Sequence, residues 1–246
     1  MINVAAPSPE TLFGRLLRLP LRILPRDATV PILQGPLKGA RWIVGSQRHA
    51  FWLGSYEPAM QNLIAATLKP GDTFYDIGAN VGFYSLLAAR LVVNGAVFAF
   101  EPLPSNVDFI RQHLALNQAN NVNIFPVALS NRTGASYFAV EKTGAMGHLD
   151  ETGNLTVRCL TLDNLVSEER LAPPTCIKMD VEGEEARALQ GAAECFRRFR
   201  PTLFLATHGE KVHAECLELL SSWNYRTTII DQTIGDRAEL LATPLP

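Results

Sequence analysis

The side chains best able to do chemistry fall in three stretches of the 246-residue chain. Asp76-Ile77-Gly78-Ala79-Asn80-Val81-Gly82 runs from the end of an apolar strand pattern into a helical one. Glycines there permit a tight turn and let a ligand approach the backbone. Glu101 ends the next strand pattern, 19 residues after Gly82, where a carboxylate can accept hydrogen bonds from both hydroxyls of a ribose. Loop and carboxylate together describe an adenosine site, although a Gly-rich turn alone is often only a turn. Asp180, Glu182 and His208 follow later strand patterns and can converge on a reacting hydroxyl.

The kind of adenosine cofactor follows from what the loop lacks. There is no GxGxxG, and no Lys-Ser/Thr pair to hold phosphates and magnesium. Asp76, two positions before the first glycine, would repel a pyrophosphate but attract the ammonium or sulfonium of S-adenosylmethionine. Asn80 can meet the amino-acid end of that donor, and the helix N-terminus suits its carboxylate; Asn80 reads equally as a helix cap. Tyr56 and Glu57 either line the donor pocket or are a buried neighbour and a helix N-terminal charge. Methyl transfer needs an acceptor oxygen in line with the methyl group and a proton acceptor, for which His208 or Asp180 is the expected base. Asp180, Glu182 and His208 holding a divalent cation is the alternative; the metal-free reading is preferred. Lys178 reads as an ion-pair partner of Glu182 or Glu184.

These residues need a sheet to position them. Thr73 to Ile77 reads as a strand, Phe83 to Val93 as a helix ended by Asn94-Gly95, and Ala96 to Phe100 as a second buried strand. Pro58 and Pro70-Gly71 frame a helix over Ala59 to Leu68, and another opens at Pro104. Further strands are expected at Val122 to Val127, Ala135 to Val140, Leu155 to Leu160, Cys176 to Met179 and Thr202 to Ala206, with a Gly-rich loop between the second and third of these. A helix after Asp180 ends at Gly191, and a helix from Lys211 to Trp223 precedes a last strand at Tyr225 to Ile230. Such alternation gives an α/β fold with a mostly parallel sheet, whose ligands bind at the carboxyl ends of the strands. Val30 to Val44 reads as a hairpin. Residues 1–50 are expected to form an arm and hairpin packed on a core of residues 51–246.

Composition sets the class. The chain is 47% hydrophobic and 19% charged, which is enough apolar surface for a globular enzyme. Its net charge of -2 lacks the electrostatic pull of nucleic-acid binders, so no nucleic acid is expected. Cys159, Cys176, Cys195 and Cys216 form no CxxC pair and read as core thiols in a reducing cytoplasm. Apolar stretches fall short of a membrane span, and the N-terminus lacks the order of a secretory signal. The segment Thr11 to Leu24 is basic and amphipathic; packing on its own domain is preferred over contact with a membrane. The sequence assigns no oligomeric state.

Tyr75-Asp76-Ile77-Gly78-Ala79-Asn80-Val81-Gly82-Phe83-Tyr84-Ser85, Glu101-Pro102 with Asn106, Ala128-Leu129-Ser130 and Ile177-Lys178-Met179-Asp180-Val181-Glu182-Gly183-Glu184-Glu185 resemble the FkbM family of methyltransferases in order and spacing. Gly35-Pro36-Leu37-Lys38-Gly39, Gly54-Ser55-Tyr56-Glu57 and Leu162-Asp163 extend the resemblance over roughly residues 35–210. It implies a Rossmann-like class I methyltransferase with an antiparallel last strand, acting on a hydroxyl of a small molecule, sugar or glycan. It places Asn106 and Ser130 beside Asp76, Gly78, Asn80, Gly82, Glu101 and Glu57 as donor-binding residues, with Asp180, Glu182 and His208 catalytic. One departure stands out: similar proteins often carry a glutamate two residues before the histidine, where this chain has Ala206. A nucleobase N-methyltransferase would be expected to show an Asp/Asn-Pro-Pro-aromatic run, and this chain has Met179-Asp180-Val181-Glu182 instead. A macromolecular substrate, or a non-catalytic partner subunit with the same fold, are the alternatives.

Overall fold

The computed structural model describes residues 24–140, 147–149, 155–168, 171–232 and 237–246. The amphipathic segment from Thr11 thus lies outside the described residues up to Leu24, as does most of the Gly-rich loop. The first strands, β1 (Thr29–Pro31) and β2 (Arg41–Ile43), pair antiparallel as a hairpin. Helices α1 (Ala50–Leu53) and α2 (Pro58–Thr67) follow, and Pro58 opens α2, where a missing N–H costs nothing.

The central sheet begins with β3 (Thr73–Ile77), α3 (Phe83–Leu91), β4 (Ala96–Phe100), α4 (Pro104–Leu116) and β5 (Val122–Phe125). A smaller four-stranded sheet interrupts it, built from β6 (Ala128–Leu129), β7 (Gly134–Val140), β8 (Gly147–Leu149) and β9 (Leu155–Leu160). After α5 (Leu162–Glu168) the chain returns through β10 (Cys176–Met179), α6 (Glu185–Gln190), α7 (Ala193–Phe199), β11 (Thr202–His208), α8 (Glu210–Ser222), β12 (Tyr225–Gln232) and β13 (Arg237–Pro244). The large sheet has the order β12-β13-β11-β10-β3-β4-β5. Its strands are parallel except β13, which runs antiparallel to both β11 and β12. Winding goes outward from β3 to β5, then resumes on the other side at β10. The switch point therefore lies between β3 and β10, and a crevice opens outside their carboxyl ends.

Both faces of this sheet are covered, so its strands are apolar on successive residues rather than on alternate ones. Phe74, Val97, Ala99 and Phe204 join Ile64, Leu86 and Leu87 in one core. Tyr75, Phe98, Phe100, Leu203 and Leu205 turn to the other, with Phe196, Leu220 and Trp223. This is the two-residue period of a strand dividing its side chains between two layers.

The expected α/β architecture with an antiparallel last strand is present, but several elements differ from the sequence reading. Tyr225 to Ile230 is not the last strand: β13 follows and inserts between β11 and β12. Its Arg237 and Glu239 mask a pattern whose Leu240 and Ala242 are fully buried. Val122 to Val127 is not one strand, because the chain breaks after Phe125 and Ala128 joins the small sheet. Strand β11 runs on through His208 instead of stopping at Ala206. The short helices α5 and α7 carry no long periodic face and were not expected.

Candidate active site

Four strand carboxyl ends meet at the switch point: β3 leads into the glycine loop, β4 into Glu101, β10 into Asp180, and β11 ends at His208. The loop is bent over β4, with the N–H groups of Gly78 and Ala79 both donating to the Phe100 carbonyl at 3.0 Å. Gly78 adopts φ +77, and a Cβ there would lie 1.9 Å from the Asp180 carbonyl oxygen. Only glycine lets the ends of β3 and β10 approach so closely.

Glu101 is 5% exposed and lines the cleft. Its Oε2 accepts the N–H of Asn80 (2.8 Å), and its Oε1 accepts those of Leu103 (2.9 Å) and the Asn106 amide (3.3 Å). Burial nevertheless pushes its pKa up to about 7, against the pull of these donors. The cleft encloses about 1100 Å³, counting open solvent at its mouth, and Gly78, Asn80, Asn106, Asp180 and Glu182 also line it.

Other residues assigned from sequence sit behind this wall. Asp76 is 1% exposed, and its Oδ2 accepts the Ser85 hydroxyl at 2.6 Å. Gly82 caps α3 with φ +86. Ser130 donates its N–H to the Leu160 carbonyl, and its own carbonyl abuts Gly191, so it supports the sheet edge rather than the cleft. Glu57, in the left-handed region ahead of α2, accepts the Tyr84 hydroxyl at 2.8 Å and pairs with Arg237 at 2.9 Å. Its neighbour Tyr56 does line the cleft.

Around Asp180, which also lines the cleft, lies a charged cluster. Asp180 Oδ2 receives Lys178 Nζ at 3.3 Å and Arg237 Nη2 at 3.4 Å. Lys178, 4% exposed and 4.7 Å from the centre of the Tyr84 ring, therefore pairs with Asp180 and not with Glu182 or Glu184. A carboxylate only accepts, so the 2.9 Å contact between His208 Nδ1 and Glu185 Oε1 places a proton on Nδ1. Glu185 Oε1 also accepts the N–H groups of Val181 and Gly183. The other imidazole nitrogen, Nε2, stands 3.4 Å from Glu182 Oε2 and 3.7 Å from Asp180 Oδ1.

Burial alone would raise the Asp180 pKa, but Lys178, Arg237 and His208 outweigh it and hold the group below the usual carboxylate range. Burial likewise disfavours a charged His208, yet the Glu185 hydrogen bond and the nearby carboxylates raise its pKa. Glu182 is raised by burial and by the negative charge of Asp180.

Three contributors escaped the sequence reading. Gln47 and Arg48 reach the cleft from the segment after the hairpin, and Gln47 Nε2 donates to Asn80 Oδ1 at 3.2 Å. Arg237 comes from β13. None belongs to a motif, and the spacing of a chain does not reveal which distant segments fold over a cleft.

A seven-stranded sheet with one antiparallel strand second from its edge, and a glycine loop and carboxylate at the switch point, define a Rossmann-like methyltransferase fold. The family model of the methyltransferase FkbM domain matches residues 76–227, and the chain belongs to that family. It is 27% identical over 131 residues to the hexuronic acid methyltransferase AglP of Haloferax volcanii, a match covering 52% of this chain and 53% of that one. With the 2-O-methyltransferase NoeI of Sinorhizobium fredii it shares 26% identity over 160 residues, covering 57% of this chain and 65% of the relative. The chain thus spans between about half and two thirds of the length of these curated relatives. Among solved structures, methyltransferase FkbM from Methylobacillus flagellatus shares the fold with a TM-score of 0.50 at 18% identity, covering 80% of this chain and 55% of that one. No described helix is long and apolar enough to cross a membrane.

Proposed function

We propose that this chain transfers the methyl group of S-adenosylmethionine to a hydroxyl of a sugar or other small molecule. The observation that carries the reading is one cleft lined by the glycine loop, Glu101, Asp180 and Glu182, with His208 against the two latter carboxylates. In this reading Glu101 accepts the ribose hydroxyls, while Asn80 and Asn106 hold the loop and the carboxylate in place. Asp76, Gly82 and Ser130 support the site from behind, and Glu57 anchors Arg237. The acceptor oxygen attacks the methyl carbon in line, the carbon–sulfur bond breaks, and S-adenosylhomocysteine leaves as a neutral thioether. The hydroxyl proton leaves through the Asp180–Glu182–His208 cluster. A carbohydrate acceptor is supported by the hexuronic acid named for AglP, and a hydroxyl oxygen by the 2-O-methyl transfer named for NoeI.

Calorimetric titration with S-adenosylmethionine, S-adenosylhomocysteine and NAD tests the donor. Saturable binding of the first two and not of NAD is expected; binding of NAD alone would overturn the reading. Methyl-labelled donor offered with a panel of sugars, uronic acids and non-carbohydrate alcohols then tests the acceptor class, and label appearing on none of them would count against it.

A further inference from the structure

We propose that Asp180, Glu182 and His208 hold a divalent cation at the wall of the cleft that Asp180 and Glu182 line. Asp180 Oδ1 and His208 Nε2 are both shut off from solvent and have no hydrogen-bond partner. Buried polar atoms without partners are uncommon and costly, and here two of them face each other at 3.7 Å, with Glu182 Oε2 3.4 Å from the same nitrogen. Ligands about 2.0 to 2.6 Å from a shared cation stand about 3 to 4 Å from one another, so the spacing of His208 Nε2 from each of the two carboxylates suits an ion held beside it.

The surroundings are arranged accordingly. His208 Nδ1–H is fixed by Glu185, which directs Nε2 at the two carboxylates, as carboxylates behind metal-bound imidazoles do, and a cation there would take the place of an Nε2 proton. One donor atom each of Asp180, Glu185 and His208 lies within 4.8 Å of the others. Glu185 Oε1 is already committed to two backbone N–H groups and to His208 and so orients the histidine, while Glu182, which lines the cleft, supplies the third ligand and the unpartnered Glu185 Oε2 stands in reserve behind it. Among the described residues, Glu57, Asp180, Glu182 and Glu185 pair with Lys178, Arg237 and His208, so carboxylates outnumber the basic groups where the ion would sit. Two carboxylates and one imidazole suit magnesium, manganese or zinc.

The use of the ion rests on the methyl-transfer reading, but its binding does not. Bound there, it would supply Lewis acidity that lowers the pKa of the acceptor hydroxyl and eases loss of its proton to a carboxylate oxygen of the same cluster.

The test uses the whole 246-residue chain, treated with a chelator and free of donor and acceptor. It is titrated with Mn²⁺, followed by the paramagnetic resonance of the free ion, and S-adenosylhomocysteine binding is measured on the same samples. One ion per chain is expected. Glu182→Gln, at a side chain 38% exposed, and His208→Ala should each weaken it about tenfold or more, with S-adenosylhomocysteine affinity unchanged. Absence of saturable Mn²⁺ and Zn²⁺ binding by protein that still binds S-adenosylhomocysteine overturns the cation site and leaves methyl transfer standing. Ion binding that survives both substitutions overturns the ligand assignment. Ion binding as expected, without S-adenosylhomocysteine binding, supports the cation site and sinks the methyl-transfer reading.

Discussion

Glu101 shows how one buried carboxylate can make ligand binding depend on pH. Its oxygens already collect three donors, yet its pKa stands near 7 because burial disfavours the charge. Ribose hydroxyls donate to the ionised form, so donor binding favours deprotonation. Affinity for S-adenosylmethionine should therefore level off above pH 7 and fall below it, approaching about tenfold per pH unit. Calorimetry between pH 6 and 8 checks this, and a flat profile for the unsubstituted chain would remove Glu101 from the ribose. Glu101→Gln should abolish the dependence, since an amide does not titrate. Glu101→Ala should weaken donor binding by about 1 to 3 kcal/mol through loss of charge-assisted hydrogen bonds. Unchanged affinity would contradict the assignment.

At the scale of elements, the hairpin is clamped to α4 and, through it, to the donor loop. Asn117 exchanges two hydrogen bonds of 2.8 Å with the backbone of Arg41. His113 donates from Nδ1 to the Val81 carbonyl at 2.8 Å, accepts the Ile43 N–H at Nε2 at 3.2 Å, and stacks on Trp42 with ring centres 3.7 Å apart. This arrangement requires a neutral ring, and burial lowers the His113 pKa to about 4. An unfolded histidine takes up its proton near pH 6.5 while the folded one resists until about 4, so the stability His113 contributes is complete above 6.5 and lost as pH falls toward 4. Measured as the difference from His113→Gln in denaturant unfolding, that loss should reach about 3 kcal/mol. A difference independent of pH would mean the ring is not held neutral.

The same scale shows what a sequence makes legible. Strands β3, β4 and β10 match their expected limits residue for residue, because strands buried on both faces read as uninterrupted apolar runs between turn residues. The glycine loop and Glu101 were found because chemistry and spacing coincide there. Side-chain direction was not legible: position in β3 does not reveal that Asp76 turns to Ser85, nor spacing that Ser130 backs onto Gly191. Strand β13 was missed because Arg237, which lines the cleft, and the buried Glu239 interrupt an apolar pattern whose alternate residues serve the core. Gly78→Ala tests the closest packing among these elements. A methyl group aimed at the Asp180 carbonyl, on a backbone with positive φ, should lower the melting temperature and weaken donor binding together; a variant with both unchanged would show that the strand ends can part.

For the whole molecule, β13 sits inside the sheet and not at its margin. It supplies the backbone partners of both β11 and β12, with Leu240 1% exposed and Ala242 fully buried. Deletion from residue 237 onward should therefore abolish cooperative unfolding in a circular-dichroism melt, not merely trim an end. A sharp transition in the shortened chain would show that β11 and β12 can close on their own. The same strand carries Arg237 into the cleft, as the segment after the hairpin carries Gln47 and Arg48 from the other end of the chain. These contributors fall outside residues 76–227, the span shared with the family. The cleft thus takes part of its wall from stretches on both sides of the family span, one of which also touches the glycine loop through Gln47. A chimera that keeps the central span and borrows both flanks from a relative would exchange those wall residues and leave Asp180, Glu182 and His208 where they are.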